Sequence, residues 1–427
     1  MKRLKRIFAC LLTAALLTAA GVEAFTTGAA SAPAESPGLS AAQYRTDDAD
    51  APEVFFTSEI SPEGLAAVYD ALNWTPTGKV AVKVSTGEPP ASNYLRPELI
   101  GNLVKSLNGT IVECNTAYGG SRASTAMHYQ VARDHGFNDI ANVRILDENG
   151  SMELPVTGGT RLTGDLVGAA FADYDSYLIL SHFKGHAMAG YGGAIKNISI
   201  GLGSSTGKNR IHTGGRSDAR WTGGEQTAFL ESMVEAGKAV SDYLGNGERI
   251  VYINVMNRLS VDCDCNGHPA EPDIHDIGVL ASRDPVALDE ACVELVRDAE
   301  GSASLMNRIG NRNGLHTLEH AEEIGLGSRA YRLTNLDAPN AERFCAIRGL
   351  SVSGNAAAVT LTATEGCALM VAGYTQEGRM TDIRAETLPG AAQERTIIVE
   401  ISLESARYKA FLLDSQSLRP LCESFQA

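Results

Sequence analysis

The 427-residue chain has no C-x-x-C pair anywhere, which removes the usual two-sulfur grip of structural zinc and iron–sulfur sites. Its glycine-dense region contains neither G-x-x-x-x-G-K-[ST] nor G-x-G-x-x-G, so no standard phosphate loop or dinucleotide fingerprint lies there. Basic charge is scarce: 36 Lys and Arg stand against 51 Asp and Glu, for a formal net charge of −15. Such a chain repels phosphate backbones and anionic lipids, and nucleic acid is not an expected partner. Eight cysteines are too few for a disulfide scaffold, and a chain this long buries a core without staples. There is no fixed-period repeat, no heptad run and no second spanning segment.

The one long apolar run is at the start. Met1-Lys2-Arg3-Leu4-Lys5-Arg6 is basic, IFACLLTAALLTAAG is apolar and uncharged, and small residues follow, the tripartite pattern of a secretory signal peptide. The run is short against the ~20 residues of a spanning helix. Residues 1–32 are expected to be an export signal, cut after Ala24 or Ala32, leaving an extracellular, periplasmic or envelope-associated chain without a membrane span. Retention as an anchor is the alternative. Cys10 sits inside the apolar run, ahead of any cleavage site, and is not expected to carry lipid. Cleavage would remove four basic side chains and one acidic one, moving the charge to −18. The cysteines left would be Cys114, Cys263, Cys265, Cys292, Cys345, Cys367 and Cys422, an odd set in which at least one thiol is unpaired within the chain.

Residues 33–52, rich in Ala, Ser, Pro and Asp, read as a flexible leader. From 53 to 337, strand-like and helix-like segments alternate, the pattern of an α/β domain built on an open, mostly parallel sheet with flanking helices. SYLILSHF, RIVYINVMNRL and DIGVLAS are apolar runs of buried-strand type. Ser61-Pro62 and Asp284-Pro285 each place a capping side chain before a proline at a helix start. Near residue 338 the pattern changes to period-two alternation with turns, which predicts an all-β sandwich over 338–427.

Two stretches carry the chemistry. SHFKGHAMAGYGGAIKNISIGLGSSTGKNR, residues 181–210, follows an apolar strand, and ligands of open parallel sheets bind beyond the carboxyl ends of strands. Lys184, His186 and Lys196 are the expected catalytic groups, because a lysine desolvated among other cations loses pKa and becomes a base or nucleophile. Gly190, Gly192, Gly193 and Asn197 are expected to bind a ligand, the glycines freeing amide N–H groups for an anion at a helix start. A tight turn carrying solvated Lys and His is the bland alternative. The second stretch, SVDCDCNGH at 260–268, supplies Cys263 and Cys265, expected to hold a metal together with His182. C-x-C is the less common spacing, and a disulfide or a pair of inert thiols fits the same residues. Cys292 reads as an apolar filler on a helix, Cys345 and Cys367 as a sandwich disulfide, and His316 with His320 as an i, i+4 pair lacking H-E-x-x-H order.

SHFKGHAMAGYGGAIKNISIGLGS, VDCDC, PDIHDIGVLASRDPVALDEACVEL and LHTLEHAEEIGLGS, in this order, resemble the family of unknown function numbered 362, also called uncharacterised iron–sulfur centre proteins. The resemblance covers residues 53–336. Many such proteins carry a ferredoxin module with C-x-x-C-x-x-C-x-x-x-C-P runs; this chain has none, so no ferredoxin-type iron–sulfur cluster is expected. GHAMAGYGGAIK is also similar to the H-x-x-A-G-[FY]-S-G-G-x-K motif of lactate racemase-type proteins, which implies a nickel-pincer nucleotide near His186 and Lys196. Here the serine is replaced and the step from glycines to lysine is one residue longer.

Three functions follow as expectations. The first is an exported metal- or redox-linked enzyme using Cys263 and Cys265 with the 181–197 loop. The second is a racemase-like proton transfer on a small hydroxy acid, and the third a non-catalytic envelope protein that binds a ligand and docks a partner through residues 338–427. The ligand is a small molecule or a metal, and the cofactor is open.

Overall fold

The structure, a computed structural model, describes residues 43–219, 224–337, 346–363, 367–376, 378–388, 391–402, 405–415, 420, 422 and 424–426. The export signal and the Cys345–Cys367 pairing lie outside the described residues. Among those residues no helix is long and apolar enough to cross a membrane.

The first part runs β1 (Glu53–Thr57), α1 (Pro62–Ala71), β2 (Val80–Lys83), α2 (Pro97–Ser106), β3 (Thr110–Glu113), α3 (Thr125–Asp134), β4 (Val143–Ile145), β5 (Ser151–Pro155), β6 (Gly164–Gly168) and β7 (Ser176–His182). It continues β8 (Lys184–His186), β9 (Gly190–Gly192), α4 (Ala194–Ser199), α5 (Ser205–His212), α6 (Gln226–Tyr243), β10 (Ile250–Met256), β11 (Gly278–Ser282), α7 (Pro285–Asp298), α8 (Ala303–Asn311), α9 (His316–Glu323) and β12 (Arg332–Asn335). The caps behave as their chemistry requires. Ser61 accepts from the Gly64 amide, and Asp284 accepts from the Val286 and Ala287 amides, each ahead of a proline whose missing N–H costs nothing there.

Eight strands form one sheet in the order β12-β1-β11-β10-β7-β2-β3-β4. Every pair is parallel except those of β11, which runs antiparallel to both β1 and β10. All residues of β2, β7, β10 and β11 are buried, which is why they read as unbroken apolar runs. Alternation divides them between two cores: Tyr177, Ile179 and Tyr252 pack on one face with α4, α6 and α7, and Leu178, Leu180, Val251 and Ile253 on the other with α1 and α2. The reversal of β11 matters for function. Its connection from β10, residues 257–277, leaves and re-enters the sheet at one edge, so the C-x-C segment stays at the carboxyl end of the parallel strands.

The stretch expected as a leader is tied down where it is described. The Tyr44 amide donates to Glu294, Arg45 bridges to Tyr331, and the Arg329 guanidinium stacks on the Tyr44 ring at 3.9 Å. An Ala/Ser/Pro-rich composition predicts flexibility only when nothing nearby offers it partners. His316 and His320 are likewise paired: their Nε2 atoms lie 3.1 Å from Glu231 and 3.6 Å from Glu235. Cys292 is fully buried beneath β10, with Asn254 at 3.4 Å.

After residue 345 the chain is antiparallel β: β13 (Ala346–Ser353), β14 (Ala356–Ala363), β15 (Cys367–Tyr374), β16 (Met380–Thr387), β17 (Ala391–Glu400), β18 (Arg407–Asp414) and β19 (Phe425–Gln426). They make a three-stranded sheet, β13-β14-β17, and a four-stranded one, β16-β15-β18-β19. Val359 and Leu361 of the first share a core with Leu369, Val371 and Leu412 of the second, the face-to-face burial of a sandwich.

Candidate functional site

A cavity of about 250 Å³ opens at the carboxyl ends of β2, β3 and β7. The parallel strands deliver one charged residue each to this edge: Lys83 ends β2, Glu113 ends β3 and His182 ends β7. Lys83 Nζ donates to the Val84 carbonyl (2.5 Å) and to Asn197 Oδ1 (3.0 Å), and stands 4.0 Å from Glu113. Burial lowers its pKa to about 8, against the pull of Glu113. Glu113 also accepts from the Thr86 amide and hydroxyl, from His128 and from Arg122. Burial alone would raise its carboxyl, but Arg122, His128 and Lys83 outweigh that and hold it far below the usual range. Arg122 in turn reaches Glu88 and the Tyr118 hydroxyl on the cavity wall.

The opposite wall comes from residues 182–197. His182 Nδ1 lies 2.8 Å from Asp264 and its Nε2 2.6 Å from the Asn257 carbonyl. Both ring nitrogens face acceptors, so His182 is not available as the expected metal ligand. Lys184 Nζ donates to the His182 carbonyl (2.6 Å) and pairs with Asp264 at 3.1 Å. Asp264, between the two cysteines, therefore faces both Lys184 and His182; burial opposes its ionisation, and Lys184 and His182 more than compensate. His186 is buried, and its Nδ1 accepts from the Met188 and Ala189 amides. A neutral ring so held carries its proton on Nε2. Burial and the nearby lysines keep that ring neutral, its pKa well below the ordinary value.

Lys196 differs from its neighbours. It lies in the short helix α4, lines the cavity, and among the described residues its ammonium has no hydrogen-bond or ion-pair partner. Burial and the charge of Lys184 lower its pKa to about 7.

The expected ligand-binding glycines divide. Gly192 and Gly193 line the cavity, whereas Gly190, with φ +82, backs onto Ile309 and Gly314 and serves the β8–β9 hairpin. Asn197 does not wait for a ligand: it accepts from Lys83 and donates to Ser181, joining β2 to β7. The start of α4 is also closed. Asp289, from α7, accepts from the Ala194 amide (2.8 Å), the Ile195 amide (3.0 Å) and Asn254 (2.7 Å), taking the place of the anion expected there. A Cβ on Gly193 would stand 2.2 Å from Asp289 Oδ1. Gly193→Ala is therefore expected to cost about 1–3 kcal/mol by overpacking, read as a lower denaturant midpoint at unchanged m-value.

The two sulfurs are joined: Cys263–Cys265 is a disulfide on the cavity wall. Both Sγ atoms and a ring nitrogen of His186 lie within 4.8 Å of one another, close enough to hold one metal ion. In this state the trio does not fit a metal. The sulfurs are bonded to each other, and the Nδ1 lone pair of His186 already accepts two amides. Reduction would free two thiolates.

Sequence reasoning did not single out Lys83, Glu113, Arg122, Asp264, Lys208 or His212, all of which line the cavity. Lys208 Nζ donates to the Gly203 carbonyl at 2.5 Å, and His212 is kept neutral, its pKa lowered to about 4 chiefly by burial. For Lys83 a signal existed, a lysine inside the otherwise apolar VAVKV at a strand's carboxyl end.

The profile described as "Domain of unknown function (DUF362)" matches residues 80–294, just over half of the chain. No curated protein matches the sequence. Among solved structures, the lactate racemase apoprotein from Thermoanaerobacterium thermosaccharolyticum is similar at 18% identity, over 47% of this chain and 50% of that one, with a TM-score of 0.30. A protein from Thermotoga maritima is similar at 10% identity, over 61% and 58%, also at 0.30. The chain thus spans about half the length of these structures. Every cavity residue, from Lys83 to Cys265, falls within the matched segment, and the chain belongs to the DUF362 family.

Proposed function

We propose that the cavity binds a small organic oxyanion, of the carboxylate or hydroxy-acid class, and that Lys196 exchanges a proton with it. One observation carries this reading: Lys196 is the cavity ammonium that no described side chain or carbonyl answers. The other cations are engaged, Lys83 by Val84 and Asn197, Lys184 by Asp264, Lys208 by Gly203, and Arg122 by Glu88 and Glu113. Their summed charge still favours an anion at the centre and would stabilise an enolate formed there. A lysine titrating at about 7 supplies both an ammonium to hold a carboxylate and an amine to take a proton at neutral pH. The Nε2–H of His186 is a hydrogen-bond donor on the wall. A volume of about 250 Å³ lies below the ~300–1,000 Å³ of pockets for drug-sized ligands, so the acid is small. The signal-like N-terminus supports an exported setting for this chemistry.

Calorimetric titration with acetate, lactate, pyruvate and phosphate between pH 6 and 9 tests the binding. At least one carboxylate is expected to bind, most tightly below pH 7, where Lys196 is protonated, and progressively less as the pH rises through that value. Exchange of the bound acid's α-hydrogen into D2O, followed by NMR, tests the proton transfer. Affinity that stays flat across this range, or no binding at all, would exclude Lys196 from the role.

A second reading rests on the closeness of His186, Cys263 and Cys265. The reduced chain is expected to retain zinc through dialysis at one ion per chain, and the oxidised chain none, measured by elemental analysis.

A further inference from the structure

We propose that the Cys263–Cys265 disulfide is a redox centre that exchanges with a small external dithiol. This activity is independent of proton transfer on a carboxylate and needs no substrate acid in the cavity.

The disulfide is on the wall of an open cavity, and Cys265 is the more exposed of its two sulfurs' residues, with Cys263 only 6% exposed. An incoming thiolate therefore meets Cys265 first. The surroundings favour a leaving thiolate on Cys263. The backbone N–H of Cys265 donates to Cys263 Sγ at 3.2 Å, and a donor to sulfur stabilises the anion more than the disulfide. Lys184 and Lys196 line the same cavity. Asp264, between the two cysteines, is turned to His182 and Lys184, and Asp262 lies 3.6 Å from the Arg308 guanidinium. His186, near both sulfurs, carries an Nε2–H that can donate a hydrogen bond to the thiolate that forms.

The buried cysteines provide the contrast. Burial pushes Cys114 up to about 12 and Cys292 well above its ordinary value, so neither is a thiolate at neutral pH. Position, not cysteine content, marks the C-x-C pair.

The exchange balances without further reactants. One thiolate of the dithiol attacks Cys265 Sγ; the Cys263–Cys265 bond breaks, a mixed disulfide forms, and the electron pair leaves on Cys263. The second thiol of the reagent then attacks its own mixed sulfur, closing a cyclic disulfide and releasing Cys265 as thiolate. Two electrons pass to the protein, and the two thiol protons go to Cys263 and Cys265 or to solvent.

The test uses the folded full chain, dithiothreitol, iodoacetamide and mass measurement of the peptide bearing both cysteines. Without reductant that peptide should carry no label; after dithiothreitol, with no denaturant, it should carry two, while the peptides of Cys114 and Cys292 stay unlabelled. Labelling without reductant, or labelling only after denaturation, would each overturn the proposal. None of these outcomes involves a carboxylate, so they leave the proton-transfer reading to its own experiment.

Discussion

Replacing Lys196 by Met is expected to abolish carboxylate binding and, at the same time, to make the protein more stable. Both effects come from one fact: the fold places this ammonium in the cavity and gives it no counter-ion among the described residues. Losing one member of a desolvated charge pair costs about 2–5 kcal/mol of binding, roughly 30-fold to several-thousand-fold in affinity. The stability effect has the opposite sign. The folded pKa of about 7 lies below the ordinary 10.5, so the folded state resists protonation. That cost is full below pH 7 and fades as the pH rises towards 10.5. The variant should therefore gain most in thermal midpoint at pH 6 and little at pH 10, by an amount on the order of a few kcal/mol at most. Calorimetry for the ligand and thermal melts at the two pH values measure the pair of effects. A variant that loses binding and stability together would mean that Lys196 is a structural residue. Stability given up at a functional group is a familiar trade, and here it has a named atom.

Glu113→Ala is expected to be the most damaging single change at this edge of the sheet, at about 3–5 kcal/mol. Glu113 is the acceptor shared by Arg122, His128, Thr86 and, at 4.0 Å, Lys83. Removing it leaves a buried guanidinium and weakens the hold on a buried ammonium. Because the folded carboxyl is held below its ordinary 4.5, its contribution is present in full above that pH and is lost as the pH falls further. Denaturant curves for wild type and variant should therefore lie furthest apart at pH 7 and approach each other in acid. Glu113→Gln should recover part of the loss, since its one amide oxygen keeps an acceptor for the Thr86 amide.

The architecture was legible because buried strands and capped helices write themselves locally. SYLILSH and IVYINVM are apolar through their full length, and Asp284-Pro285 caps a helix in any context. The site was legible where residues cluster in sequence, at 181–197 and 262–268, and the cavity does bring these segments together. It was not legible where the partners are distant. Nothing near Ala194 says that a carboxylate 95 positions on will close the start of its helix. Nothing in SHFKGH separates His182 from His186; one is consumed by Asp264 and Asn257, the other by two amides of its own hairpin. Lys83, Glu113 and Arg122 stand singly in the chain, and only parallel pairing of β2 and β3 puts the first two side by side.

The single reversed strand has a consequence for folding. Because β11 turns back, the connection that carries Asp264 can reach the ends of β2, β3 and β7 only after β10 has docked beside β7. The cavity wall thus joins residues as far apart as Lys83 and Cys265, with a helix start fixed by Asp289 from still later in the chain. Contacts of such sequence separation are slow to form and absent from partly assembled chains. A ligand seated here would recognise only the completed sheet, stabilise it by mass action, and report by its binding that the last long-range pairing has taken place.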